Sequence, residues 1–306
     1  MKKNIFIVIL MVAVSLLDGS SLFGKSKSKK SDLLKFLSGE IIIPYENHIN
    51  LKEGTFETWV AAAHKPGENL NLPTETGATV LGLMQTASYC GFRRKGFNRD
   101  IDPARIVFST NQLAEGETED FYALFSFLSR KYSDKITLSH TGCSLLHDLK
   151  WKQMKWHYLA LTWKPLKDDQ YEVNIYNDGK KIVTHKFTMN PQILANDNNN
   201  VIVFGGIYPN FVAFNEIRIS SNAKTETEIA KQNRKSFKKE KTTLFLLNSS
   251  GLKKLKKVKA KIVEGPYTRH YTYPANFKLS QKGIILGYYK FIRGKFGQAI
   301  KLSDIE

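Results

Sequence analysis

The chain has 306 residues, 42% of them hydrophobic, two cysteines and a formal net charge of +18. That length allows one large β-sandwich or two modules, and either buries a sizeable core. A field of this sign favours polyanions, among them acidic glycans, cell-wall phosphates, an anionic membrane and nucleic acid, unless the lysines serve only solubility.

Met1-Lys2-Lys3 precedes an apolar-to-small run from Ile5 to Leu17. The run is too short for a comfortable bilayer span, and a basic start before a short apolar stretch reads as a secretory signal over residues 1–24. Gly19-Ser20-Ser21 and Leu22-Phe23-Gly24 both offer small residues for cleavage, and an uncleaved anchor is the alternative. Export, to a periplasm, a cell surface or the medium, makes nucleic acid the least expected of the polyanions. Residues 25–32, opening KSKSKK, read as a polar linker.

The first strand is expected over Leu34–Pro44, ending at the proline. Gly54 marks a turn before a strand at Thr55–Ala62, where Phe56 and Thr58 face one way and Thr55, Glu57 and Trp59 the other. Trp59, in mid-strand, reads as a core anchor. Lys65–Thr79, rich in Pro, Gly, Asn and Thr, reads as a loop and Val80–Ala87 as a strand. Arg93, Arg94, Lys95 and Arg99, interleaved with Phe92 and Phe97, form either a site for an acidic sugar or phosphate or a solvated hairpin edge. Further strands are expected at Ala104–Ser109, Tyr122–Ser129 and Lys135–His140. Cys90 and Cys143 either form a disulfide in an oxidising compartment or stay apart as small buried residues.

The carboxylates give little support to hydrolysis. A glycosidase needs two acids set across the scissile bond. Glu115, Glu117 and Glu119 have alternate spacing, but Gly116 and Thr118 between them give no apolar face to bury, so AEGETED reads as an acidic turn. Glu57 and Glu172 read as isolated on their strands. No zinc-like spacing exists; His140, His147 and Asp148 read as a loop coincidence, and His157 and His185 as ordinary strand histidines.

The chain is organised around Trp156–Phe187, which reads as three strands. In the first, Leu159, Leu161 and Trp163 share one parity and Tyr158 and Ala160 the other, so both faces are mostly apolar and the strand lies mid-sheet, covered on both sides. Tyr171–Tyr176 alternates, Asn177-Asp178-Gly179 supplies a turn that tolerates positive φ, and Lys181–Phe187 returns as a hairpin partner. Asn190–Asn200 reads as a loop. Thr225, three residues before Glu228, is a capping box that starts a short helix toward Lys239. From Ala223 to Ile262 thirteen Lys or Arg stand against Glu226, Glu228 and Glu240, and KKLKKVKAK alternates partly like a strand. That run is a solvated face or a polyanion-binding surface.

WHYLALTW followed by NIYNDGKKI resembles the signature of laminin-G-like, concanavalin A-like jelly-roll domains. Upstream, Phe36–Pro44 and INLKEGTFETWV, and downstream VIVFGG and FNEIRIS, fit the same pattern in the right order. The resemblance covers 33–225 as one domain and implies an all-β, two-sheet antiparallel jelly-roll sandwich. Residues 226–306 then form a basic extension with a short helix and extra strands. Within it, TLFLLN (Thr243–Asn248) and GKFGQAIKL (Gly294–Leu302) resemble the opening strands of another such unit, and are expected to pair with each other or with the sandwich.

The resemblance implies a non-catalytic binding or adhesion module for a glycan or a surface protein. A glycoside hydrolase and a spacer in a tandem array are the alternatives. Tyr208 and Phe211, beside Gly205-Gly206, are candidate stacking residues, and core packing of Phe211 is the competing reading. Relatives often hold a structural calcium at an acidic motif that here reads Phe214-Asn215-Glu216-Ile217. Asn215 stands where Asp is preferred, which removes a charge that a hard cation wants and puts the calcium in question.

Overall fold

The expected strands are present, and the carboxyl-terminal ones are built into the same sandwich. The computed structural model describes residues 39–62, 75–85, 105–113, 121–131, 137–143, 147–148, 151–167, 170–188, 200–205, 212–258, 261–264, 269–272 and 282–302. Between 75 and 148 the description is of backbone pairing alone. The described residues all belong to one unit spanning Phe36–Glu306.

The strands up to the middle of the chain are β1 (Gly39–Pro44), β2 (Gly54–Ala62), β3 (Glu75–Gln85), β4 (Arg105–Leu113), β5 (Phe121–Lys131), β6 (Thr137–Cys143) and β7 (His147–Asp148). The central three are β8 (Trp156–Pro165), β9 (Gln170–Asn177) and β10 (Lys180–Thr188), followed by β11 (Asn200–Gly205) and β12 (Val212–Ser220). Beyond them come α1 (Glu226–Gln232), β13 (Thr243–Leu247), α2 (Ser249–Leu252) and β14 (Lys256–Val258). The last strands are β15 (Lys261–Glu264), β16 (Arg269–Thr272), β17 (Ile284–Gly287), β18 (Lys290–Arg293) and β19 (Gln298–Lys301).

Two large sheets result. The first runs β14-β17-β1-β11-β3-β4-β5-β6, with β7 on β5; the second runs β10-β9-β8-β2-β12-β19-β18, with β13 also on β12. Pairing is antiparallel except for β14 beside β17. Strands β15 and β16 form a separate two-stranded ribbon. Among the described residues no helix is long and apolar enough to cross a membrane.

Several expectations shift. Glu75–Thr79, read as loop from its Gly and Thr content, belongs to β3 and pairs with Ser109–Leu113 of an extended β4; cross-strand partners outweigh weak local propensity. His140 and His147 are on β6 and β7, both paired with β5, rather than in a loop. The helix after the capping box ends at Asn233 instead of reaching Lys239. Arg234 there adopts φ 79°, and the chain continues as an extended strap. The capping box itself forms as expected, Thr225 Oγ1 accepting from Glu228 N and Glu228 Oε2 accepting from Thr225 N.

The interior between the sheets is hydrocarbon. Ile41, Ile43, Ile202 and Phe204 of the first sheet meet Phe56, Val60, Leu159, Leu161, Val173, Ile217 and Ile219 of the second. The rings of Phe56 and Phe204 stack at 6.0 Å across the gap, and Phe245 of β13 lies 6.3 Å beyond Phe204. Each such side chain contributes roughly 1.5–3 kcal/mol on leaving water. Gly54 is required by close approach: a Cβ there would lie 2.2 Å from Trp163 Cζ2.

The tail is what covers the second apolar face of β8. Tyr158, Ala160, Trp59 and Tyr176 form a cluster with Ile229 of α1 and Phe237 of the strap. Both family-like tail strands dock on the same edge of β12: β13 along Ile217–Ser220 and β19 along Ala213–Phe214. They pair with the sandwich and not with each other. β19 then leads back to the start of the fold, since Gly39 N donates to Leu302 O at 2.9 Å.

Candidate functional site

Glu57, the one acid on β2, meets a basic partner through strand register. In the β2–β12 register Glu57 lies opposite Arg218, on the outer face of the second sheet, and both are 0% exposed. Arg218 Nε and Nη2 donate to the two Glu57 oxygens at 2.7 and 2.8 Å, a bidentate pair. Nη2 also donates to Gln232 Oε1, and Nη1 to Glu240 Oε1 and Lys238 O, which uses all five guanidinium N–H groups. Lys224 Nζ lies 3.1 Å from Glu57 and 3.0 Å from Glu240. Two acidic and two basic side chains thus balance between sheet and strap, Glu57, Arg218 and Lys224 buried and Glu240 at the solvent edge, and the guanidinium lies 4.8 Å over the Phe237 ring.

The electrostatics follow from this packing. Burial works to raise the Glu57 carboxyl, but hydrogen bonds and charge from Arg218, the charge of Lys224 and the Tyr158 hydroxyl outweigh it and hold Glu57 below the usual range. Tyr158 Oη donates to Glu57 Oε1 at 2.6 Å, and burial followed by the Glu57 charge pushes that phenol far up. A saturated guanidinium, a committed carboxylate and a phenol that stays protonated have no lone pair or proton to lend. The cluster holds the strap on the sheet.

Beside it, Glu216 accepts from Ser236 Oγ and Phe237 N, both at 2.7 Å. Burial raises its carboxyl, against those two bonds and the Arg218 charge. Asn215 Nδ2 donates to the carbonyls of Phe296 and Gln298, while its Oδ1 accepts from Phe296 N at 2.6 Å. The residues that the resemblance offered to calcium are therefore spent on backbone and hydroxyl donors. An amide N–H₂ aimed at two carbonyls does not fit an oxygen cage for a hard cation. Among the described residues no group of three or more His, Cys, Asp or Glu could hold a metal. Glu172, the one acid on β9, has Lys164 opposite it on β8 at 3.2 Å.

A second polar knot ties the Asp-Gly turn to β8. Asp178 Oδ2 bonds His157 Nδ1 at 2.7 Å and Oδ1 accepts from Tyr158 N at 3.0 Å, while Asp178 N donates to Tyr158 O. His157 is buried, stacked on Trp151 at 4.9 Å and 4°. Among the described residues its Nε2 has no hydrogen-bond partner. Asn233 Nδ2, from the end of α1, donates to Asp178 O at 2.7 Å. Gly179, at φ 80°, lies so close to Asn233 and Ala230 that a side chain would crowd both.

Trp59 is 1% exposed, beneath Phe296 at 5.4 Å and Lys295, whose Nζ lies 3.9 Å from its ring centre. Its Nε1 donates to Lys235 O. It is an anchor, as the sequence suggests. Arg93, Arg94, Tyr208, Phe211, Cys90 and the acidic run Glu115, Glu117 and Glu119 lie outside the described residues, and Cys143 is described in backbone alone.

The sequence matches no protein-family profile and no curated protein. Among solved structures, a Bacteroides ovatus protein with a proposed carbohydrate-binding role is 12% identical, with 88% of this chain covered, 60% of that one, and a TM-score of 0.41. The botulinum neurotoxin type G receptor-binding domain is 10% identical, covering 64% of this chain and 42% of that one, TM-score 0.30. Scytalido-glutamic peptidase is 11% identical, covering 68% and 96%, TM-score 0.29. The chain thus spans 60% of the first of these and 42% of the second. Binding proteins and a peptidase stand together here, and likenesses this distant assign neither ligand nor activity to this chain.

Proposed function

We propose that this protein is an exported, non-catalytic binding module of laminin-G-like type that recognises a glycan, or a glycan-bearing surface protein. The observation that carries the reading is the use of its acids. On the outer face of the second sheet Glu57, Glu216, Asp178 and Glu240 are each committed to hydrogen bonds that hold the fold. Hydrolysis of a glycosidic bond needs a carboxyl that can give up a proton and a second one to face it. A rigid sandwich whose charges are spent inward leaves recognition to its loops and its lysine-rich exterior. Tyr208, Phe211, Arg93 and Arg94 are the loop residues proposed for contact, by ring stacking and by forked bonds to acidic groups.

The test is a glycan array probed with the full chain, paired with product analysis on the glycans it retains. Saturable binding without turnover is expected. Turnover that is lost in Glu117→Gln would overturn the non-catalytic reading, and an array with no retained glycan would overturn the binding reading.

A further inference from the structure

Lys155 and Arg234 are brought near the Asp-Gly turn by the hydrogen bonds of their chain neighbours, and Lys295 by its place over Trp59. Lys155 immediately precedes β8, whose His157 and Tyr158 are bonded to Asp178. Arg234 follows Asn233, whose side chain is bonded to Asp178 O. Lys295 lies over Trp59 and is in electrostatic reach of both Asp178 and Arg234. All three side chains are exposed. Trp156 and Phe296, each half-buried, pack against the aromatic cluster beneath them.

The backbone here is held in costly shapes. Among the described residues four non-glycine positions have positive φ, and Met154, Asp178 and Arg234 are three of them. Each such residue costs on the order of 1–3 kcal/mol and persists only where its surroundings enforce it. Met154 N is fixed by Ala62 O at 2.7 Å, and Gln232 Nε2 grips Lys235 O and Ser236 O. Conformations of this kind fix the backbone from which the three cationic side chains start.

We propose that Lys155, Arg234 and Lys295, grouped about Asp178 beside Trp156 and Phe296, form a subsite for the carboxylate or sulfate of an acidic sugar. The proposal deepens the glycan-binding reading and rests on it. Asp178 offsets only one of the three charges, and both its oxygens are already bonded to His157 and Tyr158. Burial lowers the Lys295 ammonium, Asp178 opposes this, and the Arg234 charge adds a smaller lowering. An incoming anion offsets the charge that Asp178 leaves, and the indole and phenyl edges offer a surface for the apolar face of a sugar ring.

The test uses the full chain and three probes: dextran sulfate, polygalacturonate and neutral dextran. The variant Lys155→Gln/Arg234→Gly/Lys295→Gln is set against Lys253→Gln/Lys254→Gln/Lys256→Gln, which removes the same charge from exposed lysines elsewhere. The first is expected to weaken the acidic probes about tenfold or more and the second no more than about twofold. Equal weakening by both, or by neither, overturns the subsite, as does duplex DNA competing as well as dextran sulfate charge for charge. Should the triple variant fail to fold, Arg234→Gly alone relieves a left-handed arginine and is expected to weaken the acidic probes about threefold with the melt retained; an unchanged affinity overturns the subsite. Retention of neutral glycans on the array together with no acidic binding defeats the subsite and leaves the module reading standing. An array that retains nothing defeats both.

Discussion

The two faces of the second sheet are apolar in composition yet are held by different physics. The inner face, Phe56, Val60, Leu159 and Leu161, meets the first sheet with hydrocarbon alone. The outer face meets the strap through Trp59, Tyr158 and Phe237, but at its centre is a balanced set of four charges. Hydrocarbon packing tolerates many partners of the right volume. A bidentate Arg–Glu pair tolerates one register. The inner face therefore makes the sandwich, and the outer face decides which segment covers it.

The largest expected effects separate these two roles. Arg218→Ala strands Glu57 in a buried site and is expected to cost about 3–5 kcal/mol in urea denaturation. Phe56→Ala should cost a similar amount, about 3–5 kcal/mol, through its cavity. The difference lies in rescue. Adding Glu57→Leu to Arg218→Met should recover most of the loss, because a pair of apolar residues replaces a pair of charges and Lys224 keeps Glu240. No second substitution opposite Phe56 has that logic. If the double variant is as unstable as Arg218→Ala, the charges do more than specify register.

Acid should act on the outer face first. Glu57 is held below its ordinary range, so its contribution is present above the unfolded carboxyl value and is lost as pH falls through its folded value. Wild type is therefore expected to lose stability on acidification below about pH 4, and Glu57→Leu/Arg218→Met to show a flatter acid limb. Glu216 has the opposite sign: raised by burial, it opposes folding above its folded value, and that cost fades as pH falls through it. A double variant with an unchanged acid limb would remove Glu57 from the account.

Smaller effects probe the tail clamp. Asn215→Ala leaves Phe296 N and two carbonyls without their partner and should cost about 1–3 kcal/mol. Asn215→Asp aims a carboxylate at those carbonyls and should cost at least as much, roughly 1–3 kcal/mol. Calcium and chelator should leave the wild-type melting temperature unchanged; a rise on adding calcium would restore the metal site. Gly297→Ala places a side chain at φ 79° and 2.6 Å from Ser249 Oγ, and should cost about 1–2 kcal/mol.

Much of the sandwich was legible because period-two patterning and Asp-Gly turns are local signals. The doubly apolar β8 correctly implied cover on both sides, though not what provides it. The charge network was hidden for a physical reason. Glu57 and Arg218 are separated by 161 residues in the chain and meet only through strand register. A signal was available, since Glu57 is a lone charge in mid-strand and Arg218 stands between Ile217 and Ile219, and such charges are rarely buried unless paired. The strap beyond Asn233 was misread as helix because its lysines favour helix locally, while docking of Phe237 and the turn at Arg234 are tertiary demands. The lost loop at Glu75–Thr79 has the same cause.

The claim most exposed to disproof is that the carboxyl-terminal strands are part of this sandwich. Hydrogen exchange along a urea titration, read at β2 and β8 on one side and at β13 and β19 on the other, tests it directly. The account predicts that all four lose protection in one transition with one midpoint. Protection lost from β13 and β19 well before β2 and β8 would contradict it.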